Sequence, residues 1–232
     1  MQVKRLVLFD IDGTLVLTGG AGLRAMNRAC SDLVGHNSAL DGIVLAGRTD
    51  WIILHDTLRR HGQELNEDLL ADLRERYVQH LIEEIELPGT GVKRALPGVY
   101  QLLGELMERD DVAVGLLTGN FADGARIKLE HFDLWKYFRF GAFGDDSADR
   151  NALVPIAMQR AKDSGIADVN ARDVFVVGDT PFDVGCALAV GAVPVGVATG
   201  GFNVDQLRAS GADIVFRDLS DASAFLELLE SR

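Results

Sequence analysis

The most constraining feature of the sequence is the apolar run at residues 6–9, which ends in Asp10-Ile11-Asp12-Gly13. An unbroken apolar run of this length is typical of a strand buried in a parallel sheet. Ligands of such sheets bind beyond the carboxyl ends of the strands, so Asp10 and Asp12 are predicted to project into a crevice there. Gly13 would free the backbone to turn away. Taken alone, the pattern Asp-x-Asp-Gly marks a simple turn more often than a site.

The two carboxylates predict a cation at the end of this strand. Carboxylates this close repel each other unless a cation or a shared proton separates them. A site built from oxygen ligands alone suits Mg²⁺ better than a softer metal. The first strand is therefore predicted to end at a Mg²⁺ site, if other parts of the chain bring groups to the same edge.

The composition argues against several classes of partner. Of the 232 residues, 47% are hydrophobic and 25% charged, as in a globular enzyme with one large domain or a core that carries a smaller one. The formal net charge is -12 and no basic block occurs, which argues against nucleic acids and anionic membranes. Cys30 and Cys186 are far apart, as expected of reduced thiols. Without a signal peptide or a membrane-spanning apolar run, a soluble, cytoplasmic protein is predicted.

Residues 18–91 are predicted to form an all-helical block. After a flexible exit at residues 16–20, apolar residues recur at helical spacing in three stretches. These predict helices at about residues 21–34, at 50–61 with Thr49 as the N-cap, and up to 86 with Asn66 as the N-cap. The Pro- and Gly-rich segment 87–91 ends the block and is predicted to be a hinge.

From residue 96 onward, predicted helices alternate with predicted strands. The strands lie at about residues 112–117, 174–177, 194–198 and 214–216, with a short strand-like piece at 138–144. The helices lie at about 99–109, 122–131, 151–163, 182–190, 205–209 and from 221 onward. This alternation predicts an α/β fold with a doubly wound parallel sheet. The helical block falls between the first strand and the others, so it is predicted to be an insertion.

Four motifs, in order along the chain, then give a resemblance to a known family. They are Asp10-Ile11-Asp12-Gly13-Thr14-Leu15, Thr118-Gly119-Asn120, Arg150, and Gly178-Asp179-Thr180 followed by Asp183. With them the chain resembles the haloacid dehalogenase-like hydrolase superfamily, in its capped phosphoglycolate phosphatase and β-phosphoglucomutase-like subgroup. The resemblance covers nearly the whole chain. It implies a Rossmann-like core domain at residues 1–17 and 92–232 and a helical cap domain at 18–91.

The resemblance implies a role for each acidic residue of the motifs. Asp10 would be the nucleophile that forms an aspartyl-phosphate. Asp12 would protonate the leaving oxygen and then take a proton from the attacking water. Mg²⁺ would be held by Asp10, by Asp179 and by Asp12, the last through its backbone carbonyl. Asp183 would lie outside this shell and orient a metal-bound water or Arg150.

The remaining motif residues would bind the phosphate. The Thr118 hydroxyl and the Gly119 N–H would bind phosphoryl oxygens, and Asn120 would shape that loop. Arg150 stands where the superfamily usually has lysine, and its place at a helix start would also favour an anion. Lys128 is the alternative cation, but its position in the middle of a helix predicts that it faces solvent.

Arg48 is a further candidate outside the motifs. It lies in the Gly-bearing loop before the second predicted helix, where related capped enzymes place residues that contact the substrate. The alternative interpretation is an ordinary exposed arginine.

These residues favour one function among those known for the family. Asp12 argues against a dehalogenase, which has no leaving group to protonate, and the absence of lysine between Val16 and Thr90 argues against the phosphonate-cleaving relatives. The prediction is a Mg²⁺-dependent phosphatase for a small phosphorylated metabolite, phosphoglycolate phosphatase-like, as a monomer or homodimer. A β-phosphoglucomutase-like mutase is the alternative, and a non-catalytic phospho-ligand-binding protein is a less favoured one.

Overall fold

A computed structural model describes residues 3–231 of the chain. Its strands are β1 (Arg5–Phe9), β2 (Val16–Thr18), β3 (Lys93–Ala95), β4 (Val112–Leu117), β5 (Gly141–Ala142), β6 (Val174–Gly178), β7 (Val193–Val197) and β8 (Ile214–Phe216). Its α-helices are α1 (Ala21–Val34), α2 (Asp50–Arg60), α3 (Glu67–Glu86), α4 (Val99–Met107), α5 (Ala122–His131), α6 (Leu153–Asp163), α7 (Pro181–Val190), α8 (Val204–Ala209) and α9 (Ala222–Glu230). Short 3-10 turns occupy Trp135–Tyr137, Arg150–Ala152 and Ala171–Asp173.

Six of the strands form one parallel sheet in the order β5-β4-β1-β6-β7-β8. The central strand β1 lies between β4 and β6, and helices cover both faces. Successive side chains of a strand point to opposite faces, so Val7 and Phe9 pack in one hydrophobic cluster while Leu6 and Leu8 pack in the other. Burial on both faces explains the unbroken apolar sequence of these strands. The predicted α/β fold with a doubly wound parallel sheet is confirmed.

The helices α1, α2 and α3 form a separate layer, here called the helical layer, that packs around its own hydrophobic cluster. The cluster includes Met26, Leu54 and Leu73. Thr49 caps α2 by accepting the N–H of Ile52 at 3.4 Å, and Asn66 caps α3 by accepting that of Leu69 at 2.9 Å. These side chains satisfy N–H groups that the first turn of a helix leaves unpaired, which explains why both helices begin where they were predicted.

The flexible exit predicted at residues 16–20 is wrong for its first half. Residues Val16–Thr18 form β2, which pairs antiparallel with β3, so both chain segments that connect the helical layer to the sheet are hydrogen-bonded to each other. The Gly19 N–H extends the pairing by donating to the carbonyl of Val92 at 2.9 Å. A three-residue strand is too short to show a periodicity of two in the sequence, so neither strand was predicted.

Two further predictions need smaller corrections. The strand-like piece at residues 138–144 contains only the two-residue β5. The helix predicted from residue 151 begins instead with the 3-10 turn Arg150–Ala152, and α6 starts at Leu153. Within residues 3–231, none of the helices combines the length and the apolar character that a membrane span requires.

Candidate active site

Three carboxylates meet beyond the carboxyl ends of β1 and β6. Asp10 follows β1, Asp179 follows β6, and Asp183 lies in the first turn of α7. Each of the three has a carboxylate oxygen within 4.8 Å of one on each of the other two. All three side chains are buried, and the Asp10 N–H donates to the carbonyl of Val177 at 2.9 Å. Residues 169 positions apart in sequence are thus brought together at one edge of the sheet, as parallel strands allow.

The surroundings of these carboxylates disfavour their charged forms. Burial raises the pKa of Asp10 to about 7, although Arg150 acts in the opposite direction. Burial together with the neighbouring Asp10 and Asp183 raises the pKa of Asp179 to about 8. Buried carboxylates this close need a proton or a cation to be stable. The donor set is oxygen only, which fits a hard divalent cation such as Mg²⁺.

Two glycines leave room for the carboxylate of Asp179. Gly13 has φ +84°, and a Cβ there would lie 2.6 Å from Asp179 Oδ2. A Cβ at Gly200 would overlap the same carboxylate. The hydroxyl of Thr14 donates to Asp179 Oδ1 at 3.3 Å and fixes its orientation. Gly13 is therefore required both by the turn and by the close approach of Asp179.

Asp12 has a different environment, since its side chain is 44% exposed and faces the cavity beyond β1. Its Oδ2 accepts hydrogen bonds from Lys128 Nζ at 2.6 Å and from Asn120 Nδ2 at 2.9 Å. Lys128 Nζ also donates to Asn120 Oδ1 at 2.6 Å, which closes a three-residue network.

The prediction that Lys128 faces solvent is wrong, because this lysine is 4% exposed. It lies one turn after Gly124 on the buried face of α5, which also includes Ala125 and Leu129. Its ammonium group occupies space that Gly22 of α1 leaves open, where a Cβ would come within 2.9 Å of Nζ. The signal in the sequence was the small and apolar residues flanking Lys128 at helical spacing.

The loop after β4 places Thr118, Gly119 and Asn120 beside the carboxylates. All three line the same cavity as Asp10. The buried Thr118 hydroxyl oxygen accepts hydrogen bonds from the Asn120 N–H at 3.3 Å and from its Nδ2 at 2.7 Å. A Cβ at Gly119 would overlap the Arg48 carbonyl, so glycine is required where the helical layer contacts this loop.

The Arg150 guanidinium lies between two of the carboxylates. Its Nη2 lies 3.3 Å from Asp10 Oδ1 and is ion-paired with Asp183 Oδ1. The other oxygen of Asp183 accepts the Thr180 N–H at 3.0 Å and the Thr180 hydroxyl at 2.7 Å, in a capping box at the start of α7. Arg150 is held by residues of both the sheet edge and the helical layer, since its Nη1 donates to the Gly47 carbonyl at 3.3 Å.

Residues 47–50 of the helical layer contact the loops that carry these groups. The Asp50 N–H donates to the Gly119 carbonyl at 2.7 Å, and Asp50 Oδ2 accepts the Phe121 N–H at 2.8 Å. Thr49 Oγ1 donates to the Ala148 carbonyl at 3.3 Å. Asp50 is buried, and burial raises its pKa to about 6. Asp50 was not predicted from the sequence, because its partners belong to a loop about 70 residues away.

These contacts enclose a cavity of about 320 Å³ between the helical layer and the sheet edge. The edge contributes its polar side, with Asp10, Asp12, Thr118, Arg150 and Asp179. Arg48 lines it from the helical layer, and its Nη1 donates to Asp56 Oδ2 at 2.7 Å. All of the residues predicted to form the site therefore surround this one cavity, except Asp183, which contacts it through Arg150 and Thr180.

Comparison with known proteins gives the family of the chain. Residues 7–197 match the family model described as haloacid dehalogenase-like hydrolase. A phosphoglycolate phosphatase of Rhodospirillum rubrum is 28% identical over 231 residues, which cover 97% of this chain and 91% of that protein. The probable phosphatase IndB of Dickeya dadantii is also 28% identical, over 99% of this chain and 98% of its own length.

A solved structure agrees with this result at the level of the fold. The crystal structure of a hydrolase from Pseudomonas syringae superposes with a TM-score of 0.68 at 23% sequence identity, over 97% of this chain and 99% of that one. The family match covers both parts of the sheet and the helical layer between them. The chain therefore belongs to the haloacid dehalogenase-like hydrolase family.

Proposed function

We propose that the protein is a Mg²⁺-dependent phosphatase that hydrolyses a small phosphomonoester through an aspartyl-phosphate on Asp10. The observation that carries the proposal is the cluster of Asp10, Asp179 and Asp183 with the Arg150 guanidinium at one end of the cavity. The similarity to phosphatases, including a phosphoglycolate phosphatase, along nearly the whole chain supports it.

Asp10, Asp179 and the backbone carbonyl of Asp12 would hold the Mg²⁺. The raised pKa values of Asp10 and Asp179 support this assignment, because a buried cluster of this kind gains most from a bound cation. When bound, Mg²⁺ would neutralise the repulsion between these carboxylates and the anionic phosphate. Asp183 would orient Arg150, with which it is ion-paired.

The first chemical step would be attack of Asp10 on phosphorus. The O–P bond to the leaving group breaks as the new bond to the Asp10 carboxylate oxygen forms. Asp12 donates a proton to the leaving oxygen, and its half-exposed side chain suits exchange of that proton with solvent. Arg150, the Thr118 hydroxyl and the Gly119 N–H bind the phosphoryl oxygens, and Asn120 holds the Thr118 hydroxyl in place.

The second step would return the enzyme to its starting state. Asp12, now a carboxylate, takes a proton from a water that attacks the phosphorus of the aspartyl-phosphate. The bond between phosphorus and Asp10 breaks, and inorganic phosphate is released. Lys128 keeps the Asp12 side chain in position through both steps by its hydrogen bond at 2.6 Å.

We further propose that the helical layer, extended to residues 18–91, is the cap and that residues 1–17 and 92–232 are the core. The cap would open to admit a substrate and close on it, with Arg48 contacting the substrate. A mutase acting on a sugar phosphate is the second candidate, because the contacts of residues 47–50 with the Gly119 loop would restrict access of water to Asp10.

The test is a phosphate-release screen with Mg²⁺, using wild-type protein and Asp10→Asn in parallel. The panel includes phosphoglycolate, hexose phosphates, nucleoside monophosphates, pyrophosphate and an aryl phosphate. We expect release that depends on Mg²⁺ and is absent in Asp10→Asn, which keeps the shape of the side chain. Isomerisation without release, after activation by a sugar bisphosphate, would favour the mutase. A folded protein that does neither would favour a non-catalytic role.

A further inference from the structure

We propose that the leaving group of the substrate has an apolar body, a short alkyl chain or a small ring, rather than a carboxylate or a set of hydroxyl groups. This inference rests on the proposed phosphatase function and concerns the side of the cavity that faces away from Asp10. It follows from the residues that the helical layer contributes, from their charges and from the size of the cavity.

The helical layer lines the cavity mainly with aliphatic side chains. Leu23 and Met26 come from α1, Leu40 and Leu45 from the segment between α1 and α2, and Ile53 from α2. Leu23 is 48% exposed, so part of its side chain is available for contact with a ligand. When an apolar group displaces water from an apolar surface of this kind, the free energy of binding becomes more favourable.

The cations that line the cavity have partners already. Arg48 is ion-paired with Asp56 at 2.7 Å and Lys128 with Asp12 at 2.6 Å. Arg150 lies at the Asp10 end, where the transferred phosphoryl group binds. Among the described residues that line the cavity, no cation therefore remains uncompensated on the leaving-group side. A carboxylate there would lose its hydration and would have to compete with Asp56 for Arg48 to gain an ion pair.

A polyhydroxylated leaving group would carry more hydroxyls than residues 18–91 can pair, because their polar side chains on the cavity are Thr18, Arg48, Asp50 and Tyr77, and Arg48 already donates to Asp56. Asp50 lines the cavity, but one of its oxygens already accepts the Phe121 N–H. A buried hydroxyl without a partner costs free energy, so a polyhydroxylated leaving group would bind weakly.

The volume of the cavity favours a small leaving group. The cavity of about 320 Å³ must hold the phosphoryl group as well, and it lies near the lower end of the range of about 300–1,000 Å³ for small-molecule sites. Butyl or phenyl esters suit this space, whereas nucleotides and long-chain lipids exceed it.

The experiment is a series of n-alkyl phosphates from methyl to butyl, assayed with Mg²⁺ beside phosphoglycolate and glycerol phosphate. Simple alcohols differ little as leaving groups, so differences along the series report binding in the cavity rather than chemistry. We expect kcat/KM to rise about fourfold for each added methylene, because burial of one methylene group strengthens binding by about that factor. We also expect butyl phosphate to exceed phosphoglycolate and glycerol phosphate.

Two variants test whether the dependence of kcat/KM on alkyl length arises from the aliphatic lining of the cavity. Leu23→Ser replaces a half-exposed lining residue, so the fold should be preserved. The variant should lower the ratio of kcat/KM for butyl over methyl phosphate severalfold. Val44→Ser is the matched control, because Val44 is 63% exposed and does not line the cavity. It should leave that ratio unchanged.

Failure of this inference can be told apart from failure of the proposed function. Hydrolysis of 4-nitrophenyl phosphate by wild-type protein but not by Asp10→Asn would establish the phosphatase whatever the alkyl series gives. With that activity present, a flat alkyl series or a preference for phosphoglycolate would overturn the apolar leaving group. Absence of phosphate release from 4-nitrophenyl phosphate, from the alkyl series and from phosphoglycolate alike would overturn the proposed function itself.

Discussion

Asp10 and Asp12 follow the same strand, but the structure holds their carboxylates in different surroundings. The Asp10 side chain is 9% exposed and lies beside the Arg150 guanidinium. The Asp12 side chain is 44% exposed and is hydrogen-bonded to Lys128 and Asn120. A nucleophile benefits from a fixed position, and a group that gives and takes protons benefits from access to water. Residues two positions apart share a face of a strand, so this difference comes from their partners and from the turn at Gly13 rather than from alternation along β1.

Replacing Asp12 should affect substrates according to their leaving groups. Asp12→Asn keeps the size of the side chain but removes the proton donor, so hydrolysis of an alkyl phosphate should slow by about 10²–10⁴-fold. With 4-nitrophenyl phosphate, whose leaving group needs no proton, the first step should persist while hydrolysis of the aspartyl-phosphate fails. A stopped-flow burst of nitrophenolate would report this. Equal slowing of both substrates without a burst would contradict the role of Asp12.

Arg150 and Lys128 can be separated by matched variants. Arg150→Met removes the positive charge beside Asp10, so kcat/KM should fall by about 10²-fold or more and inhibition by inorganic phosphate should weaken. Arg150→Lys should restore part of the lost kcat/KM and part of the inhibition by inorganic phosphate. Because Arg150→Met also leaves buried carboxylates without their partner, thermal unfolding must be measured alongside. Unchanged kinetics in Arg150→Met, with a loss in Lys128→Met, would assign the phosphate to Lys128 instead.

The affinity for Mg²⁺ should increase with pH. In the protein without metal the pKa values of Asp10 and Asp179 are about 7 and about 8, so both carboxyls are largely protonated below those values. Because Mg²⁺ binds the deprotonated forms, binding should release protons and tighten from about pH 6 to 8.5. Calorimetry in two buffers with different ionisation enthalpies measures the protons released. Binding of Mg²⁺ to Asp179→Asn should release fewer protons. A Mg²⁺ affinity that does not change with pH would contradict the assignment of Asp10 and Asp179 as metal ligands.

The residues of the site could be predicted only in part. The motif residues follow strands or begin helices, so their convergence followed from the topology of a parallel sheet. Asp50 and Lys128 could not be found in this way, because each acts through a partner in another element. Lys128 reaches Asp12 through space left by Gly22, and neither the gap nor the distance is visible in one sequence.

Among the elements, the loop before α2 and the first residue of that helix, residues 47–50, connect the helical layer to the start of α5. Phe121 precedes that helix and has no side chain that can cap it, so Asp50 accepts the Phe121 N–H and Asp145 accepts the Ala122 N–H. Gly47 lies against the Phe182 ring, where a Cβ would overlap it. The first residue of α2 therefore completes the N-terminal cap of α5, and α5 depends on the helical layer for its first turn.

Asp50 should make stability depend on pH in a defined window. Its pKa is about 6 in the folded protein and near 3.8 when unfolded, so between these values the folded state binds more protons. The free energy of unfolding should therefore fall as the pH rises from about 4 to 6. Asp50→Asn can still accept the Phe121 N–H but does not titrate. Its stability relative to wild type should rise across that window by up to about 3 kcal/mol.

Urea unfolding of both proteins at about pH 4 and 7 measures this difference. Taking the difference between the two proteins cancels the other titrating groups. Asp50→Ala is the control for the hydrogen bond, and it should be less stable than Asp50→Asn at both pH values. A difference between wild type and Asp50→Asn that does not change with pH would contradict the burial of a charged Asp50.

The elements that could be predicted from the sequence are those with a long periodic pattern. Helices α1 and α3 agree with their predicted bounds, because an amphipathic stripe marks both and Asn66 caps α3. The strands β2 and β3 were missed, since their pairing depends on two segments about 75 residues apart that meet only in the folded chain. The predicted hinge segments therefore lie next to two hydrogen-bonded strands rather than next to unpaired, flexible chain.

For the whole molecule, the main question is how a substrate reaches Asp10. The helical layer is joined to the sheet by the β2–β3 ribbon, where Arg24 Nη1 also donates to the Gly19 carbonyl at 2.6 Å. On the opposite side, it is held by the contacts of residues 47–50 with the loops after β4 and before α6. Opening would break the second set, the contacts of α3 with the start of α5 and the ion pair of Arg74 with Asp145, and would keep the ribbon. The layer should therefore swing as a unit about residues 18–20 and 87–91.

Hydrogen exchange at two amides tests this motion. The Asp50 N–H bonds to the Gly119 carbonyl and the Phe121 N–H bonds to Asp50 Oδ2, so opening exposes both at once. We expect them to exchange at similar rates, faster than the amides of the central strand β1, and to slow together when Mg²⁺ and the phosphate analogue vanadate are added. The β1 amides are the internal control and should not respond. If Asp50 and Phe121 exchange as slowly as β1 without ligand, the helical layer does not open and substrate must enter through the existing mouth of the cavity.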